Sequence, residues 1–320
     1  MPRYISPFKK TALAVFIGSL LTGCIELGSS DSSDNDDPNN DQPPEEQRVS
    51  ITGFAVKGIL AGAIVEAYDI TGTTLLAQTT TNADGKYTLP TIDHDGPILV
   101  KLKTAADTMA TCDSAIGCDD GSGTTVAFGT KYVFNDAAFN LSAVLADSAA
   151  AEDQELMVTP ITHMAAERVQ AAAVSGETIT SATVEGINSA TATLLGLDGV
   201  DINTVTPVDI TDVQATSEGS ADQQLYAALL ASIQTIAEQD PEASIADVVN
   251  NLATDYADDG GLVSNSDDET KITLEEIFVG ASEVVEIVEA EAVEEGVELD
   301  LGEAGSTLDL AESEAKNAEP

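Results

Sequence analysis

The sequence predicts an α+β multidomain protein, with an N-terminal β-sandwich followed by an all-α helical bundle. Between residues 49 and 145, short segments rich in β-branched residues alternate with turn signals about every ten residues, which is typical of a sandwich. From residue 158 the apolar residues recur at the 3.6-residue period of helices. The two ends of the chain show neither pattern and are expected to carry an export signal, a linker and a tail.

The first 23 residues combine a basic start with a short apolar run. Arg3, Lys9 and Lys10 precede the apolar segment at 11–21. That segment is shorter than the ~20 apolar residues that a transmembrane helix needs. Residues 1–23 are therefore predicted to be a signal peptide.

A single cysteine ends this segment. The tetrapeptide LTGC at 21–24 resembles the lipobox of bacterial lipoproteins. The resemblance implies cleavage between Gly23 and Cys24, a diacylglycerol on Cys24, and acylation of the new amino group, so that several chains anchor the protein stably. Ile25 stands where Asp commonly retains such proteins in the inner membrane, which favours the outer membrane. The alternatives are a secreted protein with an incidental cysteine, or one uncleaved anchor helix.

Residues 24–48 are predicted to be a disordered acidic linker behind the lipid-bearing cysteine. From residue 29 onward the segment consists mostly of Ser, Asp, Asn, Pro, Gln and Glu, which bury too little apolar surface to offset the entropy of ordering. A random coil of this length spans ~25–30 Å, and charge repulsion extends it further.

The chain is strongly acidic, with a formal charge of −44 from 12 basic and 56 acidic residues. Three of the basic residues and none of the acidic ones lie in the signal peptide, so the remainder carries about −47. Such a field argues against nucleic acid and anionic membrane surfaces as partners. We expect the charge to serve general solvation in a salty medium, and the alternative is a surface that gathers cations or a basic partner.

Three segments of the predicted sandwich carry a family pattern. They read VKGILAGAIVEAYD at 56–69, QTTTNADGKYTLP at 78–90 and GPILVKL at 96–102. Together they resemble the carboxypeptidase-regulatory-like, or transthyretin-like, β-sandwich of the immunoglobulin-like class. The resemblance implies structural roles for the residues that fill its pattern and no catalytic residues: Gly62, Ala63, Val65, Thr81, Asn82, Gly85 and Tyr87.

The two remaining cysteines are expected to pair. Cys112 and Cys118 bound the segment CDSAIGC in a chain predicted to be exported, where disulfides persist. The alternative is a redox or metal site, but the spacing is not Cys-x-x-Cys and no histidine is near in sequence. Further along, the segment TTVAFGTKYVFN at 124–135 predicts one or two more strands, and AAFNLSAVLADSAA at 137–150 predicts either a short helix or an extended connection.

The helical part, residues 155–295, is predicted to contain about five helices. Thr159 followed by Pro160 is typical of a helix start, with a hydroxyl cap and proline in the first turn. Further starts are predicted near residues 180 and 221 and at the capping-box pairs Ser244 with Asp247 and Thr273 with Glu276. Residues 296–320 are rich in Glu and are predicted to be a disordered acidic tail.

A search for catalytic and metal-binding patterns yields no site. His94 is interpreted as a turn residue, and His163, at the border of an apolar helix face, as a partly buried structural histidine. The chain has no Gly-x-Ser-x-Gly, no His-Glu-x-x-His and no P-loop. The acidic loops at 119–123 and 255–261 lack the order of an EF-hand and are interpreted as solvated turns, with weak calcium binding as the alternative.

These observations predict a non-enzymatic protein of the cell envelope, without a cofactor, lipid-anchored through Cys24 to the outer membrane. It is expected to act as a binding or scaffolding module for another envelope protein, such as an outer-membrane protein. The apolar faces of the helices leave a second hypothesis open, in which the protein carries hydrophobic compounds such as lipids or alkanes.

Overall fold

Twelve strands form the first part of the protein in a computed structural model that describes residues 48–147, 153–240, 242–264 and 271–318. The predicted signal peptide (1–23), Cys24 and most of the predicted linker (24–48) lie outside the described residues. The strands are β1 (Arg48–Phe54), β2 (Leu60–Ala61), β3 (Ile64–Asp69), β4 (Leu75–Thr80), β5 (Lys86–Asp93), β6 (Ile98–Lys103), β7 (Met109–Thr111), β8 (Cys118–Asp119), β9 (Thr125–Val126), β10 (Lys131–Val133), β11 (Asn140–Leu145) and β12 (Asp153–Glu155).

Two sheets contain the longer strands. One is four-stranded and antiparallel in the order β11-β6-β3-β4, and the other has the order β12-β1-β5. In the second sheet β1 pairs antiparallel with β5 and parallel with β12, so the strand just before the helices pairs with the first strand. The segment 137–150, for which the sequence left two alternatives open, supplies β11. Two smaller sheets, β10-β7-β2 and β8-β9, complete the strands among the described residues.

The first residues of β6 are buried on both faces, because side chains of two different hydrophobic clusters cover them. Ile98, Val100 and Leu102 point into the core that also contains Ile51 of β1. Leu99 points the other way, into a smaller cluster that it forms with residues of β11, α1 and α2. This double burial explains why the strand reads as an almost continuous apolar run.

Seven helices follow among the described residues, and five of them begin where the sequence predicts. They are α1 (Pro160–Val174), α2 (Ser181–Leu194), α3 (Val213–Glu218), α4 (Ala221–Gln239), α5 (Ile245–Asp259), α6 (Leu274–Glu295) and α7 (Gly302–Asn317). The predicted capping boxes are present: Ser244 accepts the amide of Asp247, and Thr273 accepts that of Glu276. Gly280 of α6 packs against Ser232 of α4, where a Cβ on the glycine would lie 3.1 Å from the serine side chain.

The prediction of a disordered tail over 296–320 is wrong for most of that segment, because Gly302–Asn317 forms α7. Its buried residues are spaced three, four and seven positions apart, which places them on one helix face that packs against α4 and α6. The prediction weighed the many carboxylates and overlooked this stripe of small and apolar residues: Leu301, Ala304, Leu308 and Ala315.

The strands and helices belong to one compact unit, Glu45–Pro320, and share a continuous hydrophobic core. Within the described residues, no helix combines the length and the hydrophobicity that crossing a bilayer requires.

Candidate functional site

The two cysteines of CDSAIGC are joined. Cys112 at the end of β7 and Cys118 in β8 form a disulfide with a Cα–Cα distance of 5.7 Å. The loop that they close lies against α4, where the Ala115 amide donates to Thr235 Oγ1 at 3.0 Å. The disulfide loop thus connects the strands to α4.

A lysine is completely buried beside this loop. Lys57 occupies the turn between β1 and β2, and its exposed fraction is 0%. Its Nζ donates to the hydroxyl of Tyr132 at 3.2 Å and lies 4.9 Å from the ring centroid of Phe134. Burying an ammonium group is costly unless charges or dipoles compensate it, and aromatic faces supply part of that compensation.

A buried carboxylate, Asp113, supplies further compensation for the charge of Lys57. Asp113, in the disulfide loop, is 2% exposed, and its Oδ2 accepts the amide of Gly58 at 2.6 Å. Its Oδ1 has no hydrogen-bond partner among the described residues. Burial raises the pKa of Asp113, while the charge of Lys57 and the Gly58 amide act to lower it.

Only glycine fits at position 58. Its φ of +51° lies in the left-handed region, and a Cβ there would stand 2.0 Å from the carbonyl oxygen of Thr111. The close approach of these two backbone segments brings the Gly58 amide to Asp113.

On one side of this buried pair is a cleft that we call the acidic cleft. It has a volume of about 540 Å³ and lies between the β8 to β10 region and the end of α4 with the start of α5. None of its described lining residues is basic, and five carry carboxylates: Asp119, Asp120, Asp136, Glu238 and Glu242.

The floor of the acidic cleft includes a polar side chain with an unused acceptor. Gln234 is 2% exposed, its Nε2 donates to Glu238, and its Oε1 has no hydrogen-bond partner among the described residues. Glu238 Oε2 also accepts the amide of Asp119 at 3.0 Å, which links the cleft to the disulfide loop. Partial burial raises the pKa of Glu238 against the opposing effect of these hydrogen bonds and of Lys57.

On the other side is a smaller cavity of about 230 Å³, which we call the apolar pocket. Asp113 and Gly58 line it together with residues of the loop before α3 and of α4. Most of its surface comes from apolar side chains, including Phe54, Val56, Ile59, Val208, Ile210 and Leu230.

The predicted structural histidine, His163, is buried rather than partly buried, with 1% of its surface exposed. Its Nδ1 is 2.8 Å from Ser142 Oγ and 3.9 Å from Glu167 Oε1, so serine and carboxylate approach the same nitrogen. A Ser-His-acid triad needs them on opposite nitrogens. Asn250 lies near the ring, yet Nε2 has no hydrogen bond of normal geometry. Burial lowers the pKa of His163 to about 4, so the imidazole is neutral near pH 7.

The acidic loops use their carboxylates locally. In the 119–123 loop, Asp119 Oδ1 accepts the amide of Gly121 and Asp120 Oδ1 accepts that of Ser122. In the 255–261 segment, Gly260 ends α5 and Asp255 pairs with Lys271. Across the described residues, no group of three or more His, Cys, Asp or Glu side chains is placed to hold a metal ion. His94 lies in the loop between β5 and β6.

Sequence reasoning found the disulfide loop but missed its neighbours. Lys57 follows the pattern of a solvated lysine in a glycine turn, and Asp113 that of a polar residue in a short loop. The sequence did offer one signal, the position of Asp113 directly after Cys112, because a disulfide bridge restricts the residues next to it.

Comparison of the chain with protein-family models, with curated proteins and with solved structures found no match.

Proposed function

We propose that this protein is a lipid-anchored, non-enzymatic binding module of the cell envelope, and that its acidic cleft binds a basic segment of an envelope protein. The observation that carries the proposal is the cleft itself, whose lining combines five carboxylates with buried Gln234, and the Oε1 of that glutamine has no partner among the described residues. Carboxylate and amide oxygens accept hydrogen bonds from ammonium and guanidinium groups, and these charge-assisted bonds are the stronger ones.

Electrostatics support a cationic partner. The five carboxylates of the cleft face one another across a concave surface, which concentrates negative potential. A basic peptide that enters the cleft relieves this repulsion. Its association should be rapid at low ionic strength and slower as salt screens the field.

The test is a titration with a fluorescent tetra-arginine peptide. Substituting Asp136→Asn, Glu238→Gln and Glu242→Gln together should weaken binding by roughly tenfold or more, because a charge-assisted bond contributes about 1.5–3 kcal/mol and the loss of one such bond already changes affinity about tenfold. The control removes three charges from exposed positions outside both cavities: Glu289→Gln, Glu298→Gln and Asp309→Asn. Equal weakening in the control would show that the net charge, rather than the cleft, attracts the peptide. Saturation by calcium with no peptide binding would replace the proposal with a cation site.

The anchor is a separate part of the proposal. Cys24 in LTGC would carry the lipid, and the linker would hold the folded unit about 25–30 Å from the membrane. Cys24→Ala should move the protein from the outer-membrane fraction to the soluble fraction. Retention of this variant in the membrane would refute lipid anchoring at Cys24.

We further propose that the two larger sheets face each other in an immunoglobulin-like, transthyretin-type sandwich. Side chains of both sheets enter the same core, among them Ile51 and Leu89 from one sheet and Val65 and Val100 from the other. An experimental structure should place these sheets ~10 Å apart, as aligned sandwiches have them.

The alternative function, carriage of hydrophobic compounds, has one supporting observation in the apolar pocket. Its volume of about 230 Å³ lies below the ~300–1,000 Å³ of pockets that enclose drug-sized ligands. The pocket therefore favours a small molecule over a lipid or a long alkane.

A further inference from the structure

The apolar pocket combines an apolar wall with an unsatisfied buried acceptor. Asp113 lines the pocket, and its Oδ1 has no hydrogen-bond partner among the described residues. A buried polar atom in this state costs free energy unless a ligand or water satisfies it. Gly58, which has no side chain, lies beside this oxygen at the same end of the pocket.

The charges around the pocket have one sign. Asp84 at the exposed rim and Asp209 line the pocket together with Asp113, and none of the described lining residues is basic. Asp209 uses its Oδ1 for the amide and hydroxyl of Thr211. Lys57 opposes the charge of Asp113, but its own ammonium is directed to Tyr132 and Phe134. Two further carboxylates keep the pocket negative.

We propose that the apolar pocket binds a small amphiphilic amine, with its ammonium group at Asp113 Oδ1 and its short apolar body against Phe54, Ile59 and Leu230. Such a ligand satisfies the buried oxygen and buries apolar surface at the same time. A carboxylic acid of the same size meets three carboxylates and is repelled. An alcohol donates to Oδ1 but leaves the charges of Asp84 and Asp209 unbalanced.

The test uses three probes of equal chain length: n-hexylamine, n-hexanol and hexanoate. Binding is followed by the amide signals of Gly58 and Ile210 in ¹H–¹⁵N spectra and by calorimetry. The amine should bind more tightly than the alcohol by roughly tenfold, as a charge-assisted bond replaces a neutral one, and hexanoate should not bind. Equal affinity of amine and alcohol, or shifts that miss both amides, would overturn the proposal.

Variants keep the test independent of folding. Asp113→Asn should reduce amine affinity by about tenfold or more while leaving hexanol affinity within about twofold. Asp113 also interacts with Gly58 and Lys57, so its substitution can disturb the fold. The rim variant Asp84→Asn therefore provides a second measurement, with an expected two- to threefold loss of amine affinity and a weaker dependence of that affinity on salt. Asp309→Asn, on the exposed face of α7, is the control with the same change of charge. Unchanged amine affinity in both Asp113→Asn and Asp84→Asn would refute the assignment.

The apolar pocket and the acidic cleft are separate sites and can be tested independently. Asp136 lines the acidic cleft and not the apolar pocket. The variant Asp136→Asn should therefore weaken peptide binding and leave hexylamine binding unchanged. Loss of both by Asp136→Asn would contradict two separate sites.

Discussion

The molecule contains two buried polar clusters, one with charged side chains and one with a neutral histidine. At the disulfide loop, Lys57 and Asp113 are both buried, and each takes part of its compensation from the charge of the other. At α1, His163 is buried with Ser142, and desolvation lowers the pKa of the imidazole to about 4, so it carries no charge near neutral pH. Asp113 lines the apolar pocket, and Tyr132 and Phe134 beside Lys57 line the acidic cleft, whereas His163 and Ser142 line neither cavity. The difference between the two clusters is therefore that the buried charges lie beside cavities, whereas the neutral imidazole lines neither of them.

The largest effect is expected from Lys57→Met. The methionine keeps most of the apolar stem but leaves Asp113 buried without its opposite charge, which should lower the free energy of unfolding by about 3–4 kcal/mol. Lys86→Met, at an exposed lysine over the ring of Phe54, should cost well under about 1 kcal/mol. Urea unfolding measures both. Adding Asp113→Asn to Lys57→Met should recover part of the loss, and simple additivity would show that the two groups are not coupled.

A pH-dependent effect should follow at His163. Its folded pKa of about 4 lies below the ordinary value of 6.5, so the unfolded state takes up the proton first as the pH falls. The stability that the neutral imidazole provides is complete above pH 6.5 and should decline by roughly 3 kcal/mol as the pH falls to 4.

The measurement is the difference in unfolding free energy between the wild type and His163→Gln across this range, which cancels the titration of the carboxylates. His94→Gln is the matched control at the second histidine. A difference that does not change between pH 7 and pH 4 would mean that His163 titrates normally.

Removal of the disulfide should have a smaller effect. Cys112→Ser with Cys118→Ser frees a loop of seven residues, and loop entropy predicts a loss of about 2 kcal/mol. Since the loop carries Asp113 and is followed directly by Asp119, peptide and amine binding should both weaken. The His163 signal in NMR spectra should remain unchanged, and a shift of that signal would mean that the two clusters are coupled.

The smallest effect is expected from Ser142→Ala. It leaves Nδ1 of His163 without its neighbour at 2.8 Å, which should cost about 1–2 kcal/mol. Ser282→Ala removes a hydroxyl bonded within α6 and serves as the control, with an expected cost of a few tenths of 1 kcal/mol. A cost as small as that of the control would mean that water replaces the hydroxyl at Ser142.

Local signals made the elements predictable, while the clusters depended on distant contacts. The start of α1 follows from Thr159 before Pro160, and the starts of α5 and α6 follow from hydroxyl caps with partners three positions later, all visible within four residues. Lys57 and Tyr132 are 75 positions apart, and Gly58 and Asp113 are 55 apart. Nothing local distinguishes this lysine from a solvated one. The helix α7 was predictable in principle, because the spacing of Leu301, Ala304 and Leu308 is helical.

The position of β1 has a mechanical consequence. Under the proposed anchoring, tension from the membrane enters the folded unit at Arg48, the first residue of the central strand of its sheet. A pull along that strand loads the hydrogen bonds to β5 and β12 together, so the strand resists shear instead of peeling away from an edge. Detachment by force is governed by the unfolding rate, so the central position of β1 should slow the detachment of the anchored strand.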